Sequence, residues 1–373
     1  MFENEKISLR QFKILVLLFS LGSTILIVPS VLTAYAHQDG WISAILGIAI
    51  GIGVIYLYAT LANRYPNHSI LEYSKFILGN WLGTCVGLIF YAYFVITASL
   101  VLRNVGDFIT TIIMPETPIQ AIHFVFLLII MLGAGLGLEV FARAGEVFLP
   151  WVMLFIGVLI GFLIPQIKIE RLPPLFEASS KAIMHGSLSV LSIPYLEMVV
   201  FLVIYPAVHS KLKISKGFIQ AGLMGGLIIL IITTLCISVL GWDFTSRHTF
   251  PSYTLAKKIR LGGFIQRIEV LVAIIWFVTI YFKLIVCFYS SIVGLSQILN
   301  LRTHRPFIVP SALMMFALAF LVYPNIIYFR DFASNIWPPC ALTIGLFLPM
   351  CLLIVSFFRP WGNININQGT SDT

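Results

Sequence analysis

Charge is scarce in this sequence. Of its 373 residues only 10% are charged, with 15 Asp and Glu against 23 Lys and Arg, where soluble domains average about 25%. Patterns that carry enzyme chemistry are missing as well. There is no HExxH, no Ser/His/Asp arrangement, no Gly-rich phosphate loop and no pair of catalytic carboxylates, which excludes the common hydrolase and phosphotransfer chemistries. The five cysteines (Cys85, Cys236, Cys287, Cys340 and Cys351) form neither a CxxC nor a Cys/His cluster. They are expected to be small apolar fillers, with no disulfide framework, metal or cofactor implied. Histidines 37, 68, 123, 185, 209, 248 and 304 are dispersed. A net charge of +8 without a basic stripe interleaved with aromatics gives no support for nucleic-acid binding.

Apolar residues fill the space. They make up 59% of the chain, and the mean hydropathy is +1.00, so the expected class is an all-α integral membrane protein in a lipid bilayer. Windows of roughly 20 apolar residues predict ten transmembrane helices, at about 10–36, 40–63, 81–113, 119–139, 144–165, 183–209, 216–241, 266–298, 307–323 and 334–358. They form a single transmembrane domain over about 1–360, with halves at about 10–165 and 183–358 and a polar C-terminal tail at 361–373. "NHSILEYSKFILGN" and "FPSYTLAKKIRLGG" carry helical spacing outside the spans and predict short helices along the interface. Short loops on the side of the termini hold most Lys and Arg, including Lys6, Arg10, Lys13, Arg143, Lys213 and Arg302. This places both termini in the cytoplasm, although the loops bearing Lys168, Arg171 and Lys181, and Arg247, Lys257, Lys258 and Arg260, oppose the trend.

Two spans are interrupted. "SLGSTILIVPS" breaks span one at Gly22, Ser23 and Thr24, and "SVLSIPYLEM" breaks span six at Pro194. Irregular backbone at membrane depth persists only where protein or a cavity lines it. Either break alone could be a packing notch of small residues. Five spans apart, in halves of opposite topology, they mark a midplane ligand site in a five-plus-five inverted repeat. The half-helix ends would offer partial positive and negative charge to a small zwitterion.

Ionisable residues at membrane depth cost several kcal/mol unless paired or wet. Glu197 follows Pro194 in span six, and Lys283 sits deep in span eight. Both are expected to face one cavity, pairing with each other or taking opposite ends of a ligand. A purely structural ion pair, or Lys283 snorkelling to the interface, are the alternatives. Arg103 and Asp107, i and i+4 on span three, are expected to be a structural ion pair. Tyr93 and Thr97, further in on roughly that face, either supply hydroxyls to the site or pack. Glu139, Arg143 and Glu146 read as an interfacial network, as do Arg267 and Glu269.

Together with "ISLRQFKILVLLFSLGSTILIVPS", "HQDGWIS", "MPETPIQ" and "FIQRIEVLVAIIW", these residues resemble the B subunits of the nutrient-germinant receptors of bacterial spores (GerAB/ArcD/ProY type) over nearly the whole chain. The resemblance implies a fold of the amino acid–polyamine–cation transporter superfamily. It implies a receptor in the spore inner membrane that senses a small nutrient such as an amino acid, with an A-type membrane subunit and a C-type lipoprotein as partners. The ligand contacts that it implies are Gly22, Ser23, Thr24, Tyr93, Thr97, Ser192, Pro194, Tyr195, Leu196 and Lys283. The Lys283–Glu197 charge pair is not assigned to the family. Lys283 could fill the place of a coupling cation, which would make the protein sodium-independent. A proton-coupled amino acid carrier working through Glu197, and a scaffold that only anchors partners, are the competing functions.

Overall fold

The computed structural model describes residues 5–174, 176–209, 213–259 and 268–358. Helices α1 (Leu9–Leu21) and α2 (Thr24–Ala36) form the first apolar run, interrupted at Gly22 and Ser23. Next come α3 (Gly40–Arg64), α4 (Ile70–Leu78), α5 (Asn80–Phe108), α6 (Ile119–Leu136) and α7 (Leu138–Leu163). The second half holds α8 (Ser180–Val190), α9 (Phe201–Ile204), α10 (Ile214–Leu240), α11 (Trp242–Arg247), α12 (Pro251–Lys257) and α13 (Glu269–Ile298). It ends with α14 (Ile308–Leu321), α15 (Ile326–Asp331), α16 (Trp337–Ala341) and α17 (Leu348–Phe358). Among the described residues eight helical stretches are long and apolar enough to cross a membrane, and Arg305–Leu321 is a shorter apolar one.

Burial separates core from periphery. The apolar window of Ser180–Ala207 is 94% buried and that of Leu138–Gln166 only 22%, so the former runs through the centre and the latter faces lipid. α1 packs on α10, α13 and α7, while α8 packs on α3 and α2, and α13 lies along α5. Ile7 pairs with Val208 in a lone β-bridge: the Ile7 amide donates to the Ala207 carbonyl at 2.9 Å, and the His209 amide to the Ile7 carbonyl at 3.0 Å. The start of the first apolar run is thereby tied to the end of the central stretch.

The interface helix expected in "NHSILEYSKFILGN" is α4. Ser69 and Glu72 form its reciprocal capping box, which satisfies amides that a short helix would leave open. In "FPSYTLAKKIRLGG" the helix is α12, and residues 260–263 of that string lie outside the described residues. So do Lys211, Arg267, Arg359 and the expected 361–373 tail.

The two expected breaks take different forms. At Gly22 the helix axis is interrupted (φ −30°, ψ −94°) and α2 restarts at Thr24. Pro29 within α2 cannot donate to the Ile25 carbonyl four residues back. Ser252 of α12 does so instead, at 2.6 Å. Around Pro194 the chain stays helical but changes gauge. A π-turn at Leu191–Tyr195 runs into a 3-10 stretch at Leu196–Val200 before α9. The expected span six is thus distorted rather than cut, because the wider turn absorbs the missing proline N–H without unwinding.

Candidate functional site

The two irregular stretches face each other across a cavity of about 30 Å³, room for a water molecule or two. Four helical faces close it. Ser23 and Ile27 come from α2. Thr97, Leu100, Val101 and Asn104 come from α5, at the i, i+3, i+4, i+7 spacing of one stripe. Ile193 and Glu197 come from the central stretch, and Phe329, Phe332, Ala333 and Trp337 from the segment running through α15 and α16.

The buried ion pair organises this space. Lys283 Nζ lies 2.6 Å from Glu197 Oε2, with side chains 1% and 6% exposed. The contact is close enough for an ion pair but lacks hydrogen-bond alignment, since Oε2 has no hydrogen-bond partner. The ammonium also donates to the Ile193 carbonyl at 3.4 Å and stands 5.3 Å from the Phe19 ring centroid. Glu197 Oε1 accepts from Trp337 Nε1 at 3.0 Å. The Trp337 ring stacks on Tyr93 at 5.5 Å and 4° between planes. Lys283 therefore does not snorkel, and its stem crosses the gap at Gly22. A Cβ on Gly22 would stand 2.8 Å from both Cβ and Cδ of Lys283, so only glycine lets α13 approach the break this closely.

The hydroxyls of Ser23, Thr24 and Tyr93 are buried and unpartnered. Ser23 does not cap α2, so the first-turn amides of that helix keep their partial positive charge. The polar end of the cavity thus holds a helix start and spare hydroxyls, opposite a carboxylate already engaged by an ammonium.

The structure gathers Gly22, Ser23, Thr97, Glu197 and Lys283 at or beside the cavity, with Thr24 and Tyr93 adjoining. The Thr97 hydroxyl donates to the Tyr93 carbonyl at 2.8 Å, and that of Ser192 to the Ser189 carbonyl at 3.4 Å. Pro194, Tyr195 and Leu196 lie outside the lining. The Tyr195 hydroxyl donates to the Gly222 carbonyl at 3.1 Å, and a Cβ on Gly226 would stand 2.2 Å from that oxygen. Tyr195 thus anchors the central stretch to α10. The Leu196 carbonyl accepts from Tyr58 at 3.1 Å. Arg103 and Asp107 form an ion pair at 3.1 Å. Arg103 also donates to the Ala319 and Pro324 carbonyls, while the Tyr323 hydroxyl lies 2.7 Å from Asp107 Oδ2 and 3.1 Å from Asn104 Oδ1. The pair fastens α5 to the turn after α14, next to the cavity. Glu139 and Arg143 pair at 3.5 Å and Arg10 and Glu146 at 3.8 Å, in an exposed network at the start of α7.

Sequence reasoning missed Asn104 and the aromatic wall. Asn104 was findable, seven residues beyond Thr97 on the same stripe. Phe329, Phe332 and Trp337 carry no polar or proline signal of their own. Among the described residues no group of His, Cys, Asp or Glu could hold a metal ion.

Residues 6–327 match the spore germination protein family. The chain belongs to that family. Spore germination protein KB of Bacillus subtilis (strain 168) is 28% identical over 96% of each chain. Spore germination protein A2 of the same organism is 28% identical over 78% of this chain and 80% of that one. Among solved structures, MhsT in complex with L-phenylalanine superposes with a TM-score of 0.69 at 13% identity, covering 95% of this chain and 99% of that one. The chain therefore shares the fold of MhsT, and its long apolar helices are those of an integral membrane protein of the spore germination family.

Proposed function

We propose that this spore germination protein is the nutrient-sensing membrane subunit of a germination receptor. It binds a small, amino acid-like nutrient at mid-membrane between the Gly22–Thr24 break and the Pro194 distortion, and binding triggers germination. One observation carries the reading: unpartnered Ser23 and Thr24 hydroxyls at the start of α2 lie by the cavity that Glu197 lines. A ligand carboxylate would meet the helix start, and its ammonium the Glu197 side. Gly22, Tyr93, Thr97 and Lys283 complete the near contacts, while Ser192, Pro194, Tyr195 and Leu196 shape the backbone behind them.

Ten spans in one domain, with inverted halves at about 10–165 and 183–358, fit the packing. α1 lies on α10 as α8 lies on α3, the exchange that a repeat of spans one and two in spans six and seven requires. Both termini are cytoplasmic and the membrane is the spore inner membrane. An A-type membrane subunit and a C-type lipoprotein receive the signal, because binding can bias only states that differ in affinity. Lys283 occupying a coupling-cation place makes the response independent of sodium.

Spores lacking their other receptors, carrying this chain with its partner subunits and Lys283→Met or Glu197→Gln, test the site against panels of amino acids and sugars. Loss or change of nutrient preference is expected, and unaltered preference in both variants would overturn it. Loss of the wild-type response in sodium-free buffer would overturn the sodium claim. The cavity carboxylate also favours a second reading, a proton-coupled amino acid carrier. Accumulation of labelled substrate in vesicles containing this chain alone, driven by a pH gradient, would select it.

A further inference from the structure

A second and larger cavity lies away from the ligand site. It measures about 520 Å³ and sits between the N-terminal halves of α1, α7 and α10. Its rim carries Arg10 and Lys13, with Glu146 the facing carboxylate. Below the rim the walls are apolar: Ile14, Leu17, Leu149, Pro150 and Met224. Leu17 lies seven residues past Arg10, about 10 Å deeper along the helix. Arg10 is held only loosely by Glu146, at 3.8 Å with its side chain 79% exposed, and Lys13 donates to Gln220 at 3.0 Å. Lys216, one turn before Gln220 on α10, is also exposed.

We propose that this groove binds one anionic phospholipid, its phosphate between Arg10 and Lys13 and an acyl chain along Leu17, Leu149 and Met224. Two observations choose the occupant. Rim cations outnumber the rim carboxylate, which suits a phosphate at headgroup level. The apolar walls below that rim run about 10 Å from Arg10 to Leu17, which suits an extended acyl chain. Lipid bound here braces α1, the helix that leads into the Gly22 break.

Native mass spectrometry of the purified full-length chain, titrated with dioleoylphosphatidylglycerol or dioleoylphosphatidylcholine, tests this. One phosphatidylglycerol should be retained at about tenfold lower concentration than phosphatidylcholine. The Arg10→Gln/Lys13→Gln double variant should erase that preference. So should Met224→Trp, which fills the groove from a position 45% exposed and so leaves the core intact. Arg302→Gln/Arg305→Gln removes equal charge from an exposed loop outside the groove and should keep the preference. Equal retention of the two lipids, retention of neither, indifference to both groove variants, or displacement by excess glycerol phosphate would each overturn the proposal.

Discussion

Replacing Lys283 by methionine keeps the length of its stem and removes its charge, which leaves Glu197 with the Trp337 Nε1 hydrogen bond and no counter-ion. Removing one member of a buried pair costs about 3–5 kcal/mol when the other stays ionised. Protonation sets a ceiling on that loss. With an ordinary carboxyl pKa of about 4.3, neutralising Glu197 at pH 7 costs about 1.36 × 2.7, or roughly 3.7 kcal/mol. The expected loss of stability is therefore about 3–4 kcal/mol at pH 7. It shrinks by about 1.4 kcal/mol for each pH unit, to about 1 kcal/mol at pH 5. The Lys283→Met/Glu197→Gln double variant carries no charge at these two positions and should recover most of the loss. Unfolding of the detergent-solubilised chain at pH 5, 6 and 7 reads all three. A single variant as stable as wild type at pH 7, or a deficit of the same size at pH 5, would refute the reasoning.

Three further outcomes follow from the same geometry. Gly22→Ala puts a methyl 2.8 Å from two carbons of Lys283, so it should destabilise by about 1–3 kcal/mol and weaken nutrient response, seen by unfolding and by spore germination. Trp337→Phe keeps the stack on Tyr93 but removes the 3.0 Å donor to Glu197; a loss of about 1.5–3 kcal/mol is expected, falling to about 0.5–1.5 kcal/mol when Glu197 is already Gln, whose amide oxygen still accepts but carries no charge. Burial alone would raise the Glu72 carboxyl, but hydrogen bonds from His68 and the Ser69 amide hold it below the ordinary value. A depressed carboxyl stabilises above its unfolded value and loses that contribution as pH falls through the folded one. Glu72→Gln should therefore flatten the acid limb of the stability profile below about pH 4.3.

What the sequence made legible follows from how strongly the bilayer constrains it. Long apolar runs, the Gly22 interruption and the two intramembrane charges have few structural outlets, and each points to the cavity described above. Pro194 was a weaker guide. It marks a departure from α geometry but does not say whether the chain unwinds or widens, and here a π-turn answers. Tyr195 faces Gly226 on α10, outside the cavity lining, for a related reason: the change of turn rotates successive side chains off the 100° step. The aromatic wall from α15 and α16 was illegible because Phe329, Phe332 and Trp337 look like any lipid-facing residues until tertiary packing turns them inward.

The narrowness of the central chamber has a consequence for signalling. A chamber already filled by its own walls offers no silent berth. Whatever arrives must displace Trp337, Phe332 or the side chains opposite, and Trp337 is wired through Glu197 to Lys283 and the Gly22 hinge. On the proposed reading, occupancy and rearrangement would be one event, and the message would leave the chamber along the same few atoms that recognise the guest.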